Sequence, residues 1–271
     1  MQSVLCAVNH GLYSPWLDIL HRGQEKTWLL SPLPDNVEVV HIHGTPVNKL
    51  LFKIDRAHEH IRWSTRHGHR LLKFIDNMTL LPWMSFIPEI NLSEILITKH
   101  KALHVHFPDV YLTHRWKALS LMKYFLTETD HDYLLSTTTS SYVNVVKLST
   151  IVQSLNYRDL YYGALPYKGA RFVSGSNRLL SRETVTKVMN SMSLWKPGII
   201  EDVALGQLLE KVGIRPTFIP IINISSIQEL YDLDVKTFQS NYHFRFKSGN
   251  DKNRNDVSIM RAFHSRFGNV G

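Results

Sequence analysis

The sequence predicts an α/β protein with a mostly parallel central sheet flanked by helices, and three observations predict it. The chain opens strand, helix, strand, a connection that implies a parallel pair. A second helix, strand, helix unit follows beyond residue 105, and the later helices carry regular start and stop signals. At 271 residues, 44% apolar and 20% charged, the chain has the ordinary balance of a globular α/β protein. No internal repeat, low-complexity linker or clear boundary divides it, so a single domain over 1–271 is expected, in two halves of about 1–150 and 151–271.

SVLCAVNHG (3–11) reads as a short buried strand closing on Asn-His-Gly, and SPWLDILHRGQEKTW (14–28) as a helix with Ser14 as N-cap and Pro15 at its first position. NVEVVHIHG (36–44) alternates and is β-branched, as a strand should be. Residues 45–103, interrupted by Pro82 and Pro88, read as helical pieces and loops. HFPDVYLTHRWKALSLMKYFLTE (106–128) has helical spacing after its Pro108-Asp109 turn, DYLLST is a buried strand, and NVVKLSTIVQSL (144–155) is a helix. YYGAL (161–165) and ARFVSGS (170–176) read as later strands, SRETVTKVMNSM as a helix capped by Ser181, and EDVALGQLLEKVGIRP as a helix ending at Gly213. This order puts Thr137 to Ser141 at a strand's carboxyl end, where open α/β sheets bind ligands.

Lone Cys6 excludes an intramolecular disulfide framework and any multi-cysteine zinc site, which fits a reducing cytoplasm. The first residues have no positively charged lead and too short an apolar run for a secretory signal, so the chain is expected to start in its first strand. No stretch approaches the roughly 18 apolar residues of a membrane span. The net charge of +8 draws anions: nucleic acid, anionic lipid at a peripheral membrane contact, or the diphosphate of a small ligand. The basic residues are densest at 56–73 and 243–254, two patches that suggest a lined groove more than a basic arm.

Four motifs could carry chemistry. Glu201 and Asp202 open a helix, where the dipole stabilises negative charge. Capping alone accounts for two acids in a first turn, but the preceding Pro197-Gly198 presents them from a loop, as a catalytic base requires. The histidine pairs at 41/43, 58/60, 67/69 and 104/106 resemble metal-site material, yet none has a third ligand at a recognisable zinc spacing, so incidental histidines are the simpler reading. YHFRFK (242–247) alternates Tyr242, Phe244 and Phe246 with His243, Arg245 and Lys247, putting rings and cations on opposite strand faces. Cations aimed into a cleft would clamp phosphate oxygens; an amphipathic edge strand is the equally simple alternative. Lastly, the strand in HDYLLSTTTSSYVNVVKL (131–148) runs into a cluster of hydroxyls.

The order of these motifs resembles the GT-A fold glycosyltransferases related to the Fringe and β-1,3-galactosyltransferase group. HRGQEKTW, DVYLTHRWKAL, DYLLSTTTSSYVNVVKL, FVSGSNRLLS and EDVALG fall in that family's order over about 3–213. The resemblance implies a nucleotide-diphosphate sugar donor, seated against Val8, Asn9, His10 and Arg22 in the first half, and a glycan or other hydroxyl acceptor in the second. It places the Gly175 loop by the donor sugar, and assigns the base that deprotonates the acceptor to Asp202, with neighbouring Glu201 as the other possibility. The departure is at Thr138, Thr139 and Ser140, which stand where the family has acidic metal ligands. Neutral hydroxyls are poor ligands for Mg²⁺ or Mn²⁺.

The expectation is therefore a cytoplasmic, metal-independent, inverting hexosyltransferase-like enzyme with no cofactor, acting in surface polysaccharide or other glycan synthesis. The leaving diphosphate would be met by His243, Arg245 and Lys247, with Lys117 and Arg254 behind them and hydrogen bonds from Thr138, Thr139, Ser140 and Ser141. Two rivals are a catalytically dead GT-A domain that binds nucleotide sugar or glycan, and a basic nucleic-acid-binding protein. The second lacks any recognisable nucleic-acid motif, so no nucleic-acid partner is expected. The sugar, its nucleotide and the oligomeric state are not encoded in motifs of this kind.

Overall fold

The computed structural model describes residues 1–48, 50, 53–55, 57, 86–96, 98–110, 113–155, 158–196, 199–247 and 254–268. The histidine pairs at 58/60 and 67/69, Pro82, most of the 56–73 basic stretch, Pro197-Gly198 and residues 248–253 lie outside them.

β1 (Val4–Asn9), β2 (Val37–Thr45), β3 (Ile90–Leu92), β4 (Lys101–Pro108), β5 (Tyr133–Thr138), β7 (Tyr161–Ala164), β8 (Asn177–Ser181) and β9 (Thr217–Ile219) form one 8-stranded sheet in the order β3-β4-β2-β1-β5-β8-β7-β9. β1 pairs in parallel with β2 and β5, β2 with β4, and β7 with β9, while β3 and β8 run antiparallel to their neighbours. The architecture is thus α/β with a mostly parallel central sheet. β6 (Ser141–Val143) and β10 (His243–Arg245) make a separate antiparallel pair beside the end of β5.

β1 explains why helices must cover both faces. Val4, Cys6 and Val8 point into one core and Leu5 and Ala7 into the other, all fully buried, so the strand reads as an unbroken apolar run. The first core is closed by α2 (Val145–Ser154) through Leu148 and Val152, and by α7 (Asp256–Phe267) through Met260, Phe263 and Phe267. Phe244 and Phe246 of the β10 segment join them, each fully buried, and each such ring is worth about 1.5–3 kcal/mol. The second core is closed by α1 (His114–Glu128), α3 (Arg182–Asn190) and α4 (Glu201–Lys211), through Phe125, Val185 and Leu205 among others. α5 (Ile227–Asp232) and α6 (Val235–Ser240) lead into β10. No described helix is long and apolar enough to cross a membrane.

Three local expectations are corrected. Residues 14–28 do not form a regular helix: a turn at Trp16–Asp18 passes into a π-helical turn (Ile19–Gly23) and a 3₁₀ turn (Gln24–Lys26), and Ser14 caps nothing. The cause lies in Gln24, whose buried amide donates to the carbonyls of Thr138 (3.2 Å) and Ser141 (3.0 Å) and so draws the chain toward the hydroxyl cluster. Residues 170–176 are not a strand; the strand is the next segment, Asn177–Ser181. Ser174 and Ser176 share a hydroxyl hydrogen bond of 2.9 Å, and the backbone N–H of Val173 is taken by the Tyr161 hydroxyl rather than a ladder carbonyl. Finally, β3 and the first residues of β4 lie in the stretch 45–103 read as loops and helical pieces; β4 continues beyond it and carries His104 and His106.

Candidate active site

The carboxyl ends of β1 and β5 open into a cleft of about 440 Å³. One wall comes from Asn9 and His10 at the end of β1, another from Thr138, Thr139 and Ser140 at the end of β5, and a third from Gly175, Glu201 and Asp202. Asn9 fastens the first two walls together, donating to Ser136 Oγ at 2.9 Å and to the Thr137 carbonyl at 3.3 Å.

The base of α1 supplies a buried charge pair. Lys117 Nζ lies 2.8 Å from Asp109 Oδ1 and donates to the His10 carbonyl at 3.1 Å, while the Gly44 N–H donates to Asp109 Oδ2 at 3.1 Å. Burial pushes the Asp109 carboxyl up, but the Lys117 ammonium and the other groups around it hold it below its ordinary value. The pair therefore locks the ends of β1 and β2 and sets an ammonium into the cleft wall.

The carboxylates at the start of α4 are not equivalent. Glu201 Oε1 lies 2.8 Å from an Arg178 guanidinium that is 3% exposed, so its charge is committed to β8. Asp202 accepts the N–H of Gly175 at 3.3 Å and of Val203 at 2.9 Å, and lines the cleft. Burial raises the Asp202 pKa against these hydrogen bonds, which strengthens it as a proton acceptor. Burial also raises Glu201, with Arg178 opposing. Gly175 turns its Cα toward both: a Cβ there would sit 3.6 Å from Glu201 Oε2 and 3.8 Å from Asp202 Oδ2.

Opposite charges gather at the hydroxyl loop. β10 pairs with β6 so that Arg245 is in register with Ser141, and the Phe246 N–H donates to the Ser140 carbonyl at 2.7 Å. Arg254 Nη2 donates to Ser140 Oγ at 2.6 Å, lies over the Trp16 ring at 4.6 Å, and is ion-paired with Asp256. Arg245, Lys247 and Arg254 all line the cleft. Burial, and then the charge of Arg254, holds the Arg245 guanidinium below its ordinary pKa, because two cations crowd one wall. This wall does not fit a divalent metal: its oxygens are neutral hydroxyls, and a guanidinium already occupies Ser140.

The expected residues thus separate. Asn9, His10, Lys117, Thr138, Thr139, Ser140, Gly175, Glu201, Asp202, Arg245 and Lys247 meet in the cleft, with Arg254. Val8 is fully buried inside β1 and faces the core. Arg22 is exposed on the π-helical turn, paired with Asp18 at 3.1 Å, and does not line the cleft. Ser141 is fully buried beneath the loop, its hydroxyl 3.4 Å from that of Thr138. His243 is corrected as a cation: it is 4% exposed, its Nε2 lies 3.2 Å from Thr137 Oγ1, and burial lowers its pKa to about 3, so it is a neutral ring supporting β5. Arg178, Arg115, Ser136 and Trp16 line the cleft without having been singled out. Arg178 did carry a signal, a charge directly beside the apolar pair Leu179-Leu180 in the strand NRLLS.

No protein-family model and no curated protein matches this sequence. Among solved structures, the chain is similar to a glycosyltransferase involved in the glycosylation of the major capsid of PBCV-1, at TM-score 0.47 and 7% identity, covering 96% of this chain and 99% of that one. It is also similar to the glycosyltransferase GlyE of Streptococcus pneumoniae TIGR4, at TM-score 0.44 and 7% identity, over 97% of this chain and 60% of the length of GlyE.

Proposed function

We propose that this protein is a GT-A-like glycosyltransferase that moves a sugar from a nucleotide diphosphate to an acceptor hydroxyl, with inversion and without a divalent metal. The observation that carries the reading is the meeting of two opposite chemistries in one cleft: a partly desolvated carboxylate, Asp202, and a wall of cations and hydroxyls at the end of β5. In this reading Asp202 takes the acceptor's proton as the acceptor oxygen attacks the anomeric carbon. The bond from that carbon to the diphosphate oxygen breaks, and the leaving group keeps the electron pair. Arg245, Lys247 and Arg254 meet the developing charge, and the hydroxyls of Thr138 and Ser140 hydrogen-bond the phosphate oxygens. Glu201 serves Asp202 indirectly, since its pairing with Arg178 keeps a second negative charge from competing for the same proton.

The test joins three measurements. Asp202→Asn should lower transfer by about a hundredfold or more while leaving nucleotide-sugar binding, read as a thermal shift, close to that of the parent. Parent activity should survive excess EDTA. Undiminished transfer by Asp202→Asn removes the base assignment; abolition by EDTA removes the cationic wall as the leaving-group stabiliser; donor binding with no transfer to any acceptor supports the inactive-domain reading.

A further inference from the structure

A second cavity of about 490 Å³ adjoins the first through α4. Its helical wall is Val203, Gln207, Glu210 and Lys211, a single stripe at spacings of four, three and one, beginning one residue after the Asp202 that lines the cleft. The facing wall is the segment from Tyr167 to Phe172. It approaches α4 closely because Gly206 has no side chain: a Cβ there would lie 2.4 Å from Phe172 Cβ. The glycine of EDVALG therefore serves this second cavity and has no part in the proposed proton transfer.

Three chemistries converge on the space. Tyr167 is 61% exposed and stands edge-on to Phe172, with ring centroids 5.9 Å apart at 74°, an aromatic wall left in water. Gln207 lines the cavity, and its amide has bonding capacity to spare, since its Oε1, shielded from solvent, has no hydrogen-bond partner among the described residues. Lys196, Lys211 and Arg171 bring positive charge against the single carboxylate of Glu210, which lies 3.3 Å from Arg171. A sugar ring offers C–H bonds to the aromatic face and hydroxyls to the Gln207 amide, and a carboxylate on it answers the two lysines. The volume lies within the range of about 300–1,000 Å³ typical of small-molecule sites.

We infer that this cavity binds an acidic oligosaccharide, holding the distal part of the acceptor whose terminal hydroxyl reaches Asp202. The assignment of the ligand as acceptor rests on the transferase reading of the cleft; the binding itself is measurable without it. The experiment titrates tetragalacturonate, cellotetraose, galacturonate monomer and inorganic sulfate into the full chain and into Tyr167→Ala, Lys211→Ala and Arg22→Ala, by calorimetry in the absence of donor. Tetragalacturonate should bind saturably and more tightly than the other three probes. Tyr167→Ala and Lys211→Ala should each weaken it about tenfold, and Arg22→Ala, at an exposed position that lines neither cavity, should not change it. Because Tyr167 and Lys211 are exposed, unchanged melting temperatures would keep those losses local. Three results would overturn the inference: no saturable binding of tetragalacturonate to the parent, equal binding by Tyr167→Ala, or sulfate, monomer or cellotetraose binding as tightly as the tetramer. If instead Tyr167 governs binding while Asp202→Asn transfers at full rate, only the cleft reading fails.

Discussion

Lys117 and Asp109 show how much a single buried contact organises. Their side chains are 8% and 5% exposed, and between them they hold a carbonyl of the β1 end and an N–H of the β2 end. Lys117→Met would leave the Asp109 carboxylate buried and uncompensated, a loss of about 3–5 kcal/mol. Denaturant titration reads this directly, and Lys117→Met/Asp109→Leu should recover part of it, since removing both charges removes the orphan. Equal stability of parent and single variant would show that water reaches Asp109. Neither role is visible locally in the sequence, because the two residues are ordinary members of a helix lead and acquire a shared purpose only beside β1. Asp202 and Glu201, by contrast, were legible as a pair at a helix start, while their division of labour depended on Arg178, which arrives from a different strand.

Among the elements, α4 carries the largest share of the proposed site. Its first turn presents the carboxylates, and its middle carries a glycine that propensity alone would disfavour by about 1 kcal/mol relative to alanine. Gly206→Ala should nevertheless destabilise the protein, by about 1–3 kcal/mol, since the new Cβ would meet Phe172 Cβ at 2.4 Å and its Cα at 3.1 Å. A lower melting temperature is the expected reading; a higher one would mean that segment 170–172 yields freely. Helix α4 was read from its punctuation, with Gly213 at φ +83 closing it as expected. The β10 strand was read from its alternation, and its rings do face the core while Arg245 and Lys247 face the cleft. The passage at 16–26 was misread because its geometry answers to Gln24 reaching across to Thr138 and Ser141, a contact more than a hundred residues away in the chain.

For the molecule as a whole, buried histidines set the response to acid. His41 is fully buried in β2 and His243 is 4% exposed, and burial, aided by neighbouring cations and imidazoles, lowers both pKa values to about 3. The unfolded chain, with histidines near 6.5, takes up protons that the folded chain refuses. Their contribution is complete above pH 6.5 and is lost as pH falls from there toward 3, about 2 kcal/mol for each ring by pH 5. The raised Asp202 and Glu201 act in the opposite sense at lower pH, because the folded state holds their protons more readily. The denaturation midpoint should therefore drop between pH 7.5 and pH 5, and His243→Gln should flatten that dependence; a midpoint unchanged at pH 5 would mean that both rings protonate without unfolding. Periodicity and capping carried the α/β class, the run of the main helices and the burial of β1, because these depend on neighbours three, four or two residues apart. Which hydroxyls reach the cleft, which histidine stays neutral, which carboxylate is already paired, and that a second cavity lies against the same helix, followed from folding alone, because burial and charge are set by groups the chain brings together from a distance.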